Sequence, residues 1–153
     1  NPASQGITVS SFSEHVDIAP TILAWFDQEI PSAMDGRSLL PILKPETSED
    51  WKRGIFCEFD WRSLPQRHVA RDEDRQFENQ QLCLWRDDDF KYVHFATHPP
   101  LLFDLKNDPH ETTNLAGNPA YLSVCNKYLT TLLQHRMRHS DRNLTLWQLT
   151  NDQ

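Results

Sequence analysis

The chain has 153 residues, 38% of them hydrophobic and 24% charged, with a formal net charge of −7. That length and balance suit a somewhat polar globular chain with a real core, and they exclude a disordered one. The acidic balance argues against a nucleic-acid partner and an anionic membrane surface, and no apolar run approaches the ~20 residues of a spanning helix.

Residues 1–14 are polar and Ser-rich and read as a loop or frayed end. A helix follows, with Asp17 as its N-cap and Pro20 in the first turn, where a missing N–H costs little. Ile18, Ile22, Trp25 and Phe26 recur at helical spacing and give it an apolar face, and Pro31 ends it. Residues 31–50 form a long connection. In it, Asp35-Gly36-Arg37-Ser38 predicts a turn before one helical turn around Leu39–Leu43, with Gly36 at positive φ and Arg37 paired to a carboxylate.

Residues 55–61 predict a strand, with Phe59 and Trp61 on one face. Residues 62–80 are charged and read as a solvated loop or a lid over a cleft. Residues 82–86 and 90–95 predict two strands joined by Asp87-Asp88-Asp89, read as a solvated hairpin tip. A fourth strand at 101–105 ends in a corner at Asn107-Asp108-Pro109, where short polar side chains can bond nearby backbone N–H groups. The last helix starts at Asn118 as cap and Pro119 as first helical residue. Its buried stripe is expected to hold Tyr121, Leu122, Cys125, Tyr128, Leu129, Leu132 and Leu133. Arg136 and Arg138 suit its C-terminal end. The tail, 140–153, carries Leu144, Leu146, Trp147 and Leu149, and the Asn143-Leu144-Thr145 sequon in it reads as accidental. Consecutive strands between two helices predict an α+β fold, an antiparallel sheet of about four strands with the long helix on one face.

The candidate chemistry is sparse. Cys57, Cys83 and Cys125 lie far apart and sit among apolar residues, so they read as small core residues rather than a disulfide framework or a nucleophile. His135 and His139 stand at a spacing that could hold a metal, but Arg136 and Arg138 flank them and no H-E-x-x-H pattern is present. His94 and His98, together with Arg67 and Arg71 of the 62–80 loop, are the residues that could line a cleft or an interface. Four glycines in the whole chain leave no phosphate-cradling loop. From residues alone, no catalytic or metal site emerges.

Four stretches together resemble the sulfatase family of the alkaline phosphatase superfamily. Ser13–Leu23, with Val16-Asp17-Ile18 and Pro20-Thr21, is similar to its V-S-x-V-D-I-x-P-T-I/L-L pattern. Asp35-Gly36-Arg37-Ser38-Leu39-Leu40-Pro41 is similar to D-G-x-S-L-L-P, and Phe90-Lys91-Tyr92-Val93 to Y/W-K-Y-I/V. The stretch 101–116, with Asp104, Asp108, Pro109 and Asn114, resembles the C-terminal signature strand and corner. Details at 91–105 and 135–145 are closest to the phosphonate monoester hydrolase and arylsulfatase branch.

The resemblance covers only the family's last third. It implies that residues 1–50 end the large α/β domain and lead out of it, that 51–139 form the C-terminal subdomain, and that 140–153 are a tail. No nucleophile motif of the type C-x-P/A-x-R is present, so no catalytic or metal residue carries over. For a parent enzyme the resemblance implies hydrolysis of sulfate, phosphate or phosphonate esters with formylglycine and one divalent metal (Ca, Mn or Mg). It also implies a homo-oligomer and, as partner, the missing catalytic domain. Alternatives are a stand-alone binding or oligomerisation module derived from that subdomain, and an unrelated domain holding metal on His135 and His139. Asn1 in place of Met marks the chain as an expected piece or processed form. Without a visible signal peptide the expected compartment is the cytoplasm, with the periplasm left open by the missing start.

Overall fold

A computed structural model describes residues 6, 8–43, 51–60 and 81–140. The chain divides into two compact units, Asn1–Ile55 with His139–Gln153, and Phe56–Arg138.

The first unit holds one short helix, α1, Ile18–Trp25, entered through a 3-10 turn at His15–Asp17. Asp17 stands at the N-cap position of α1 as expected, but in αR backbone and with no side-chain capping bond to the helix. Glu14, in extended backbone, is the N-cap of the 3-10 turn, and the Asp17 side chain turns back to it, its Oδ2 accepting from the Glu14 N–H at 2.9 Å. Pro31 does not end the helix. Asp27 takes a left-handed φ of 53°, the Gln28 N–H returns to the Leu23 carbonyl at 2.9 Å, and the Asp27 N–H to that of Ala24 at 3.2 Å. That pair of bonds is a Schellman ending, which an Asp tolerates without glycine. The expected helical turn is present as a 3-10 turn, Leu40–Leu43.

The second unit is a four-stranded antiparallel sheet in the order β1-β2-β3-β4, with β1 Ile55–Asp60 (its first residue closes the first unit), β2 Gln81–Arg86, β3 Phe90–Phe95 and β4 Leu101–Asp104. The register pairs Cys83 with His94, Trp85 with Tyr92, and Tyr92 in turn with Leu102. Period-two alternation puts Cys83, Tyr92 and Leu102 on one face. Onto it packs α2, Leu122–Arg138, through Cys125, Tyr128 and Leu132. Asn118 caps the Pro119–Tyr121 turn ahead of α2, its Oδ1 accepting from the Ala120 N–H at 3.0 Å.

The buried stripe of α2 is narrower than the sequence predicts. Leu122, Leu129 and Leu133 are 60, 40 and 58% exposed, because the sheet meets only the arc through Cys125, Tyr128 and Leu132. Cys83 and Cys125 are buried as expected, and burial raises the pKa of both thiols. Cys57 is exposed, so it is no core residue. Arg67, Arg71 and the rest of the expected 62–80 loop, Trp61, and the tail beyond Ser140 lie outside the described residues. Among the described residues no helix is long and apolar enough to cross a membrane.

Candidate functional site

Three constellations place the residues that the sequence singles out. The first is a buried carboxylate clasp. Asp17 is fully buried, and its two oxygens receive the Arg37 N–H at 2.8 Å, the Glu14 N–H at 2.9 Å and the Lys52 ammonium at 2.7 Å. Lys52 also reaches Glu14 Oε2 at 2.6 Å. Burial pushes the Asp17 pKa up, but the Lys52 bond and the two backbone N–H bonds outweigh it and hold the carboxyl below its ordinary value. The Thr21 hydroxyl adds a further tie, donating to the Asp17 carbonyl and accepting from the Leu39 N–H at 2.9 Å.

Gly36 and Arg37 belong to this clasp, though not as the sequence suggests. Gly36 has no positive φ; among the described glycines only Gly6 does. Its lack of a Cβ matters because one would stand 1.9 Å from the Val16 carbonyl oxygen. The Arg37 guanidinium lies over the Trp51 ring, 5.0 Å from its centroid, and the residue meets a carboxylate through its backbone N–H instead. The Trp51 indole N–H in turn donates to the Phe12 carbonyl at 2.7 Å.

The second constellation is the corner after β4. Asp104 Oδ1 accepts from the Lys106 and Asn107 N–H groups, both at 3.1 Å, and its Oδ2 accepts from the Asn107 amide at 2.8 Å. Four residues on, Asp108 Oδ2 accepts from the Thr112 and Thr113 N–H groups, both at 2.8 Å. The Asn107 amide and the backbone of 112 and 113 lower the pKa of Asp104 and Asp108 respectively. Asn107 is thus a donor to the corner, and Asp104 the acceptor the sequence left unassigned. Asn114 Oδ1 accepts from the Leu102 N–H at 3.0 Å and Lys91 bonds Glu111 at 2.6 Å, so both signature residues tie the corner to the sheet. Glu111 has a φ of 56°, and Pro109 stands one residue beyond Asp108 in the exposed bend.

At the other end of the hairpin the acidic tip is not merely solvated. Asp87 Oδ1 accepts from the N–H groups of Asp89 and Phe90, both at 2.9 Å, and its Oδ2 accepts from the Tyr128 hydroxyl at 2.7 Å. Burial, and then this bond, raise the Tyr128 pKa strongly.

The third is an open hollow of about 70 Å³ beside β1, β2 and α2, lined by Glu58, Gln81, Cys83, His94 and Arg136. Arg136 bonds Glu58 at 3.0 Å, and the Tyr92 hydroxyl lies 3.3 Å from His94 Nδ1. His98 is not among the lining residues; its ring meets Phe95 edge-on. His135 stacks on Phe56 with ring centroids 4.4 Å apart and meets Trp85 at 5.6 Å, so its ring is engaged by the sheet rather than offered to a metal with His139. Among the described residues no group of three His, Cys, Asp or Glu side chains could hold a metal ion. Asp17, Asp87, Asp104, Asp108 and Asn114 each accept from backbone N–H groups.

This architecture is shared with known hydrolases. The crystal structure of phosphonate monoester hydrolase from Agrobacterium radiobacter aligns with a TM-score of 0.82 and 36% identity, over 94% of this chain and 29% of that one. The multifunctional alkaline phosphatase superfamily protein PehA of Trinickia caryophylli is 47% identical over 138 residues, 88% of this chain and 26% of its own length. The N-acetylglucosamine-6-O-sulfatase of Bacteroides thetaiotaomicron is 29% identical over 90% of this chain and 24% of its own length. The fold is that of a C-terminal region in the sulfatases and phosphonate monoester hydrolases of the alkaline phosphatase superfamily. The chain belongs to the family described as N-sulphoglucosamine sulphohydrolase, C-terminal, which it matches over residues 2–138. It spans about a quarter of the length of these curated relatives, 26% of one and 24% of another.

Proposed function

We propose that this chain is the C-terminal part of a hydrolase of sulfate, phosphate or phosphonate esters, supporting a catalytic portion of the same protein and its assembly as a homo-oligomer. The carrying observation is that a 47% identical relative is covered over only 26% of its length. The surface of α1 supports the docking part. Ile18, Ile22, Trp25 and Phe26 are 49, 53, 67 and 68% exposed on one side of a short helix, an apolar patch suited to packing against more chain.

A divalent metal and formylglycine do not fit the donors present. The described residues offer no metal-binding group, and none of the three cysteines stands in C-x-P/A-x-R. Both groups belong, in this reading, to the catalytic portion, and no step through them falls to this chain. Its own contribution is to hold the 35–37 loop and α1 in place through Asp17 and to shape an edge that includes His94. A cytoplasmic setting, with its three free thiols, is part of the same reading.

The test is the full-length protein, read from its gene and assayed against aryl sulfates and phosphonate monoesters. Turnover of at least one ester is expected, with a fall of tenfold or more when Ile22→Asp and Trp25→Asp are combined. A full-length protein that lacks C-x-P/A-x-R and hydrolyses neither ester would sink the proposal and leave a binding or oligomerisation module.

A further inference from the structure

Asp108-Pro109 is the single Asp-Pro pair in the chain. Such a bond carries its own reagent. An aspartate carboxylate can attack the carbonyl carbon of its own residue and close an anhydride ring, because the chain itself keeps the two within reach. Proline is the residue that leaves most easily, since its nitrogen departs as a secondary amine, the more basic kind. The corner after β4 sets both reacting groups. The Asp108 carbonyl accepts from the Glu111 N–H at 3.1 Å, which closes a turn with Pro109 in its second position and polarises the carbon that would be attacked. Glu111 keeps its place in that turn at a φ of 56° and through its 2.6 Å bond to Lys91 of β3. The Asp108 carboxylate is engaged elsewhere. Its Oδ2 accepts from the Thr112 and Thr113 N–H groups, both at 2.8 Å, and its Oδ1 from the Thr112 hydroxyl at 3.0 Å. The backbone bonds of Thr112 and Thr113, with the His110 charge as a smaller cause, hold its pKa below the ordinary value, and a weaker base is a poorer nucleophile. The charged groups around it are His110, Asp104, the Lys106–Asp89 pair and the Lys91–Glu111 pair.

We propose that Asp108–Pro109 is a latent self-cleavage site, kept whole by the bonds that Thr112 and Thr113 make to the Asp108 carboxylate. When those bonds open, a carboxylate oxygen of Asp108 bonds to the Asp108 carbonyl carbon. The bond from that carbon to the Pro109 nitrogen breaks, and the nitrogen takes a proton from solvent. Water then opens the anhydride. Asp108 is left with a free α-carboxyl group and Pro109 as a new amino terminus; one water is consumed and nothing is oxidised or reduced. The cut falls between β4 and α2. Leu102 on one side of it and Cys125, Tyr128 and Leu132 on the other share one core, so the two pieces stay together until the fold is denatured. This chemistry lies wholly in the described corner and does not rest on the ester-hydrolase reading above.

The test incubates the full-length protein at about pH 4.5, where carboxylate and acid coexist, with and without unfolding urea, and follows intact masses under denaturing conditions. Two pieces meeting between residues 108 and 109 are expected, formed about tenfold more slowly in the folded protein than in urea. Thr113→Pro deletes one N–H donor, and Thr112→Val deletes the hydroxyl while keeping the side-chain shape. Each is expected to speed cleavage of the folded protein about fivefold, the weight of one hydrogen bond, and to leave the rate in urea unchanged. Leu132→Ala weakens the core without touching the corner and is expected to cleave at the wild-type rate while circular dichroism shows it folded. Asp108→Ala is expected to stay whole throughout. A wild-type chain that stays whole in urea, or that is cut as fast folded as unfolded, overturns the proposal. So do threonine variants no faster than wild type, a Leu132→Ala protein as fast as they are, or the same pieces from Asp108→Ala.

Discussion

The two units are built in opposite senses. In the first, the fully buried side chains include a carboxylate, Asp17, while Trp25 and Phe26 are 67 and 68% exposed. In the second, Tyr128, Leu102 and Leu132 fill the interior, and ion pairs such as Lys106–Asp89 and Arg136–Glu58 stand at the surface. Among its described residues the first unit has one short helix and two 3-10 turns, and directed bonds to one carboxylate tie Glu14, Arg37 and Lys52 together. A sheet with a helix across it buries apolar area instead, and tolerates the loss of individual polar contacts better.

The comparison can be broken most forcefully at Asp17. Asp17→Ala leaves the Lys52 ammonium, 13% exposed, without its main partner, and should cost about 4 kcal/mol in urea unfolding at pH 7. The same carboxyl sets an acid limit. Its folded pKa is lowered, so its contribution is complete above the unfolded value of about 3.9 and is lost as pH falls through the folded one. Unfolding curves should therefore weaken from about pH 4 downward, and Asp17→Asn should flatten that fall. A variant as stable as the parent at pH 7 would mean that the clasp is incidental.

In the second unit the largest effect belongs to packing. Leu132→Ala should cost about 3 kcal/mol by the same measurement, from a residue 2% exposed against the sheet. Tyr128→Phe keeps the ring and removes the bond to Asp87, so about 2 kcal/mol is expected. If that variant lost more than Leu132→Ala, the second unit would also depend on a directed polar bond and the contrast would collapse. Asn118→Ala should cost about 1 kcal/mol, through one cap bond at the entry to α2. Smallest of all, Lys106→Ala should leave the melting temperature unchanged, because its pairing with Asp89 is solvent-screened.

Much of this was legible residue by residue. The Asn118-Pro119 start, the hairpin around 87–89, the four strands and the signature stretches are local patterns, and local patterns survive into the fold. The clasp was legible only as the motif around Asp17 and the turn at 35–37, without the reason the two occur together. Its third member, Lys52, carried no signal at all, being 35 residues from Asp17 with no motif around it.

The sequence by itself therefore determined the elements, their order, the turn chemistry after β4 and the family, because each depends on neighbours within a few positions along the chain. The tertiary structure alone decided which groups meet. It set Tyr128 on Asp87 across 41 residues, and it brought the Val16 carbonyl against Gly36 so closely that a Cβ cannot fit. It also divided the apolar residues of α2 between a buried arc and an exposed one. The physical reason is that helical periodicity states which residues share a face, while only the packed sheet states how wide an arc it covers.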